Sequence, residues 1–103
     1  WLTHPLLQVP PGGFGANGIA LAGQRLFVSV TGPGTLVRID PSSDEPEETI
    51  ETVTLIERGA SGSVTLSGPD GVYALSSSEL LVVENGLFGP ALPRLIEVTL
   101  DPE

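Results

Sequence analysis

The chain has no cysteine, no methionine and no lysine, a single histidine and a single tryptophan, and no long apolar run. Without cysteine, disulfides and thiolate zinc sites are excluded, and the redox compartment cannot be read from the residues. Without lysine, the only fixed positive charges are Arg25, Arg38, Arg58 and Arg94, in a chain with 13 acidic residues and a formal net charge of −9. Four scattered arginines cannot form the basic stripe that neutralises phosphates, so neither nucleic acid nor an anionic membrane surface is an expected partner. The apolar bursts fall well short of the roughly 20 residues that cross a bilayer as a helix. No basic stretch precedes an apolar run in the manner of an uncleaved signal peptide, so none is expected within the chain. The lack of methionine leads to the expectation that the chain is processed or is a piece of something longer.

What is present points to one small domain of 103 residues, too short for two independent cores. Its 13 glycines and 10 prolines are dense punctuation that helices tolerate poorly. Charged residues are only 17% of the chain against 40% hydrophobic, a balance that favours a packed core over disorder. The apolar bursts are short and separated by turn signals, as in an all-β protein. They read Gly18 to Leu21, Leu26 to Val30, Leu36 to Ile39, Ile50 to Ile56, Gly71 to Leu75, Leu80 to Val83 and Leu95 to Leu100. Val53 and Leu55 oppose Thr52 and Thr54, and Ile96, Val98 and Leu100 oppose Glu97 and Thr99, the alternation of half-buried strands. Leu26 to Val30 and Leu80 to Val83 are nearly continuous, which predicts strands covered on both faces.

The two halves of the chain overlay. Gly15-Ala16-Asn17-Gly18-Ile19 sits over Gly68-Pro69-Asp70-Gly71-Val72 at an offset of 53 residues (17 to 70). Leu26 to Gly32 sits over Leu80 to Gly86 at 54 (26 to 80), and Leu36 to Asp40 falls near Leu95 to Thr99 at 59 (36 to 95). A period of about 40–50 residues with about four short strands in each is the signature of propeller blades. The sequence therefore predicts about two four-stranded antiparallel blades of a β-propeller, a partial domain over 1–103. The first blade spans 15–57, with strands near 18–22, 25–30, 35–40 and 50–57. The second, incomplete, spans 68–101, with strands near 71–75, 79–84 and 94–100, and residues 1–9 form the outer strand of a preceding blade. Two blades leave faces uncovered, so the expected partners are missing blades or other copies of the chain.

Several motifs have ordinary explanations. Gly13-Phe14-Gly15-Ala16-Asn17-Gly18 matches G-x-G-x-x-G, but prolines precede it and a strand, not a helix, is expected after it. Ser61 and Ser63 miss the G-x-S-x-G elbow by one position, and His4 is the only histidine, so no Ser-His-Asp triad assembles. The acidic loop Asp44-Glu45-Pro46-Glu47-Glu48 lacks the alternate-position spacing of a calcium loop and reads as a solvated turn. Asn17-Gly18 and Asp70-Gly71 could each be a tight turn. Their recurrence at the entry to the innermost strand of each predicted blade would aim both at one axial pocket. There an amide oxygen and a carboxylate are hard ligands for Ca²⁺ or Mg²⁺.

These same segments, Gly15 to Ile19 followed by Leu26-Phe27-Val28, and Gly68 to Val72 followed by Leu80 to Gly86, resemble two consecutive motifs of the gluconolactonase/regucalcin (senescence marker protein) family. The resemblance runs from about Phe14 to Leu100 and implies the middle-to-late part of a six-bladed propeller. It implies divalent-metal-dependent hydrolysis of sugar lactones or related esters, with Ca²⁺ first and Mg²⁺, Zn²⁺ or Mn²⁺ as alternatives. On that resemblance Asn17 and Asp70 fall on metal-ligand positions, and Asp70 also assists proton transfer as the catalytic residue. The family's glutamate ligand from an early Glu-Gly-Pro-like motif, and an asparagine that contacts substrate, have no counterpart here, so this piece alone is expected to be inactive. Two other readings stand beside the lactonase: a noncatalytic propeller of the NHL kind acting as a binding module, and a two-blade protomer that trimerises into six blades.

Overall fold

A computed structural model describes residues 4–8, 15–59, 62–85 and 93–101. Among these, all regular structure beyond two short 3-10 turns is strand, in antiparallel sheets. The first sheet has the order β1 (Ala16–Ala22), β2 (Arg25–Val30), β3 (Thr35–Ile39), β4 (Glu51–Thr52). A small hairpin follows, of β5 (Leu55–Ile56) and β6 (Ser63–Val64). The second sheet is β7 (Pro69–Ser76), β8 (Glu79–Glu84) and β9 (Arg94–Thr99), again paired in chain order.

The sheets face each other across one core. Ala22, Phe27 and Leu36 from the first sheet meet Val72, Leu80 and Val82 from the second, with Leu66 between them. The opposite face of the first sheet is also buried: Val28, Val30, Val37 and Ile39 pack under Leu6, Leu7, Leu26 and Ile50. β2 is thus covered on both sides, as its continuous apolar run predicts. β8 is not. Leu80, Val82 and Glu84 are buried, whereas Leu81 and Val83 are half-buried, and Tyr73 and Leu95 on the neighbouring strands stand about 60% exposed. The run Leu80 to Val83 looks two-sided in sequence, but its second face is only half-buried.

Both inner hairpins carry the same irregularity. In the first, Ala16 pairs with Val30 and Ile19 with Val28, so Asn17 and Gly18 together oppose Ser29. In the second, Pro69 pairs with Glu84 and Val72 with Val82, so Asp70 and Gly71 oppose Val83. Two residues against one is a β-bulge, which bends the strand and re-aims its side chains. β7 has a further extra residue, Leu75, between the pairs Ala74–Leu80 and Ser76–Glu79.

Two expected strands differ in the structure. The segment 50–57 is not one outer strand. Only β4 pairs with β3, a backbone bond from the Val53 N–H to the Leu36 carbonyl (2.8 Å) ends the ladder, and Leu55–Ile56 turns away to pair with β6. The alternation is kept in burial, since Val53 and Leu55 both pack on the inter-sheet core. The predicted outer strand over 1–9 is replaced, where described, by a 3-10 turn at Pro5–Leu7. His4 caps that turn: its Nδ1 accepts the Leu6 N–H at 3.1 Å, and Pro5 supplies a helical φ at the first position. Residues 1–3 and 9 lie outside the described residues.

Candidate functional site

β2 and the residue that follows it place Ser29 and Thr31 on the side facing the second sheet, two residues apart and therefore on one face. Both hydroxyls are buried. Each links the two sheets by a relay of the same form. The Gly18 N–H donates to Ser29 Oγ at 2.8 Å, and the Ser29 hydroxyl donates to the Asp70 carbonyl. The Asn17 side-chain Nδ2 donates to Thr31 Oγ1 at 3.2 Å, and the Thr31 hydroxyl donates to the Pro69 carbonyl at 2.7 Å. The directions are forced. A carbonyl only accepts, so each hydroxyl proton is spent on β7, and each hydroxyl must accept from β1. Thr31 therefore requires the amide nitrogen of Asn17, which turns Oδ1 away from the relay.

The bulge dipeptides are not the tight turns their composition suggests. Among described residues, positive φ occurs only at Gly23, Gly34, Gly59 and Gly68, not at Gly18 or Gly71. Gly18 is needed for a different reason: a Cβ there would run into the Asp70 carbonyl oxygen and lie 2.9 Å from the Val72 nitrogen. The first bulge packs directly on the second, and only glycine lets the backbones approach so closely.

The fold thus brings Asn17 and Asp70 onto adjacent inner strands, at the same bulge position of each sheet. Asn17 is exposed and Asp70 half-buried. Among the described residues the Asp70 carboxylate has no hydrogen bond or ion pair, while its main-chain carbonyl is held by Ser29. An amide oxygen and a carboxylate are suitable donors for a hard cation but supply two of the six to eight oxygens that Ca²⁺ takes. Among the described residues there is no group of three or more His, Cys, Asp or Glu able to hold a metal. The donor chemistry fits a divalent cation as a partial set, with the remaining ligands supplied from outside it.

The other motifs settle as ordinary structure. Gly18 lies within β1 and no helix follows it, while Gly13, Phe14 and Ser61 lie outside the described residues. Ser63 is exposed in β6. The acidic loop forms an exposed 3-10 turn at Pro46–Glu48.

Sequence reasoning missed Glu84. It is 1% exposed, yet ionic: Oε1 accepts Arg94 Nε at 2.8 Å and Nη2 at 2.7 Å, and Oε2 accepts the Ser67 N–H at 2.6 Å. The two arginine donors on Oε1 and the backbone amide on Oε2 together satisfy a carboxylate that would otherwise be costly to bury. Glu84 fixes the segment just before Pro69 and Asp70, and so holds the second bulge in place. A signal existed: Glu84 falls at the position of Val30 in the overlay, a charge where its counterpart is apolar.

A cavity lies elsewhere. It encloses about 890 Å³ between the 53–58 segment and β9, and includes neither Asn17 nor Asp70. Compared with protein-family models, with curated proteins and with solved structures, the chain matches none.

Proposed function

We propose that the two sheets are consecutive blades of a β-propeller, and that their bulged end supplies Asn17 and Asp70 to a divalent-cation site in a hydrolase of sugar lactones or related esters. The observation that carries this reading is the pair of equivalent bulges stacked on each other, Asn17-Gly18 against Ser29 and Asp70-Gly71 against Val83. In a propeller, equivalent positions of neighbouring blades converge on the axis. The uncovered face of the second sheet, with Tyr73 and Leu95, suits a further blade or another copy of the chain.

In this reading the Asn17–Thr31–Pro69 relay orients the amide so that its oxygen serves as a ligand. The Ser29 bond to the Asp70 main chain anchors the residue while leaving its carboxylate available to bind the cation and to accept a proton from an attacking water. A cation held by these residues would supply polarisation of the lactone carbonyl and activation of a water. A second reading, a noncatalytic binding propeller, is favoured by the lack of a group of three acidic or imidazole ligands among the described residues.

The variant Asp70→Asn separates the two. It preserves the bulge and the Ser29 bond, because that bond uses the main-chain carbonyl. On the lactonase reading, Ca²⁺ titration of the chain shifts the NMR signals of Asn17 and Asp70 first, and Asp70→Asn removes the effect. In the protein that these blades complete, the variant abolishes metal-dependent lactone hydrolysis. Titration shifts confined to the 44–48 loop, or full hydrolysis by Asp70→Asn, would leave only the binding module.

A further inference from the structure

We propose that Asn17-Gly18 is a self-modifying site, converting Asn17 to aspartate or isoaspartate whenever the contact between the two sheets opens. Either product then keeps that contact from closing again. The inference rests on Asn17, Gly18 and their hydrogen-bond partners alone, and is independent of any cation or catalytic activity. An asparagine followed by glycine carries its own nucleophile, because no Cβ shields the glycine nitrogen. The Gly18 nitrogen attacks the Asn17 side-chain carbon Cγ and gives up its proton. The Cγ–Nδ2 bond breaks, and Nδ2 leaves as ammonia with that proton. Water then opens the resulting imide ring at one of its carbonyls. Addition at Cγ gives aspartate, and addition at the Asn17 main-chain carbonyl gives isoaspartate.

The closed fold restrains both reacting groups. The Gly18 N–H is spent on Ser29 Oγ at 2.8 Å, and the leaving group, Asn17 Nδ2, is spent on Thr31 Oγ1 at 3.2 Å. Loss of the Gly18 proton breaks the first bond. The swing of the Asn17 side chain over its own backbone breaks the second. Both hydroxyls are buried and tied to the backbone of β7, so they move away only when the sheets part. Asn17 itself is exposed, so water reaches it as soon as the bonds open. The reaction thus draws on the locally opened state, and its rate reads how often that state is visited.

Neither product fits back into the contact. An aspartate has no proton for Thr31, whose own proton is already given to the Pro69 carbonyl at 2.7 Å, so two acceptors would face each other. Isoaspartate lengthens the backbone by one carbon beside Gly18. A carbon added at Gly18 already runs into the Asp70 carbonyl and lies 2.9 Å from the Val72 nitrogen. Asp70-Gly71, at the equivalent bulge, has no amide to lose, so deamidation belongs to the first sheet alone. The other Asn-Gly pair of the chain, Asn85-Gly86, provides an internal reference.

The full chain is incubated at mildly alkaline pH with a chelator, and deamidation is followed site by site by peptide mapping with isoaspartate detection. Asn17 should convert roughly tenfold or more slowly than in the peptide acetyl-Gly-Ala-Asn-Gly-Ile-Ala-Leu-amide, since two hydrogen bonds must open first. Ser29→Ala and Thr31→Val should each speed conversion at Asn17 roughly tenfold and leave Asn85 unchanged. Thr31→Ser keeps the hydroxyl and should keep the slow rate. Asn17→Asp, which stands for the aspartate product, should lower the urea midpoint, and by less in a Thr31→Val background. Equal rates in chain and peptide would overturn the proposal, as would an Asn17 rate that ignores both Ser29→Ala and Thr31→Val. Equal acceleration at Asn85 would also overturn it, because general unfolding would then set the rate. An Asn17→Asp chain as stable as the parent would overturn the claim that the product keeps the contact open.

Discussion

Ser29 on β2 donates its hydroxyl proton to the main-chain carbonyl of Asp70 on β7, 41 residues away in sequence. A fully buried side chain of one sheet thereby closes on the backbone of the other, while the same oxygen accepts the Gly18 N–H. With the parallel Thr31 relay to Pro69, it holds the two bulges in register.

Ser29→Ala should therefore destabilise the fold by about 1–3 kcal/mol, because it strands a donor on β1 and an acceptor on β7. Thr31→Val should cost a similar amount, and the double variant should cost less than the two effects combined, since both staple the same contact. Urea denaturation of the four proteins measures both statements. Strict additivity would show that the relays act independently.

Gly18→Ala should be more disruptive than Gly71→Ala. The new methyl at 18 meets backbone, the Asp70 carbonyl and the Val72 nitrogen, which move only if the sheets separate. At 71 the nearest atoms belong to the exposed Tyr73 ring, at 3.1–3.5 Å, and that ring can turn aside. Overpacking against a fixed neighbour costs about 1–3 kcal/mol. Thermal melting of the two variants should rank them in that order, and a higher melting temperature for Gly71→Ala than for Gly18→Ala is the expected result.

Arg94→Ala should destabilise more than Glu84→Gln. Removing the arginine leaves a carboxylate that is 1% exposed with only the Ser67 amide for compensation, and an uncompensated buried charge costs about 3–5 kcal/mol. Glu84→Gln keeps an oxygen for the Ser67 N–H, and the partly exposed arginine regains water. Denaturant midpoints of the two variants decide the order.

Asp40 should titrate below the ordinary aspartate range. The Ser42 hydroxyl at 2.7 Å is the first cause, the Ser42 N–H at 3.0 Å the second, and the Arg25 charge adds to them. A carboxyl whose folded pKa is lowered contributes stability above its unfolded pKa and loses it as the pH falls through the folded value. Ser42→Ala removes the largest cause, so its Asp40 carboxyl should titrate at higher pH in an NMR titration. An unchanged Asp40 curve would assign the shift to the retained Ser42 N–H bond and the Arg25 charge.

Much of this protein is set by local chemistry and is legible without coordinates. The turn residues and the two-residue alternation determine an all-β chain, the position of most strands, and the pairing of near neighbours in sequence. The change of offset from 53 to 54 to 59 is also written there, and the structure gives its cause. Leu75 is the residue added between the first two segments, and a longer connection from Glu84 to Arg94 than from Val30 to Thr35 adds the rest. Only the tertiary structure decides what the Asn-Gly and Asp-Gly pairs are. Their composition fits a turn equally well, and the demand for glycine at 18 comes from Asp70, which no local window contains. The same holds for 50–57, where alternation predicts which side chains are buried but not which strand they pair with, and for Leu80 to Val83, whose second face depends on what else packs there. Burial of Ser29, Thr31 and Glu84 follows from the approach of one sheet to the other, and long-range contact of that kind leaves no periodic trace in the residues that make it.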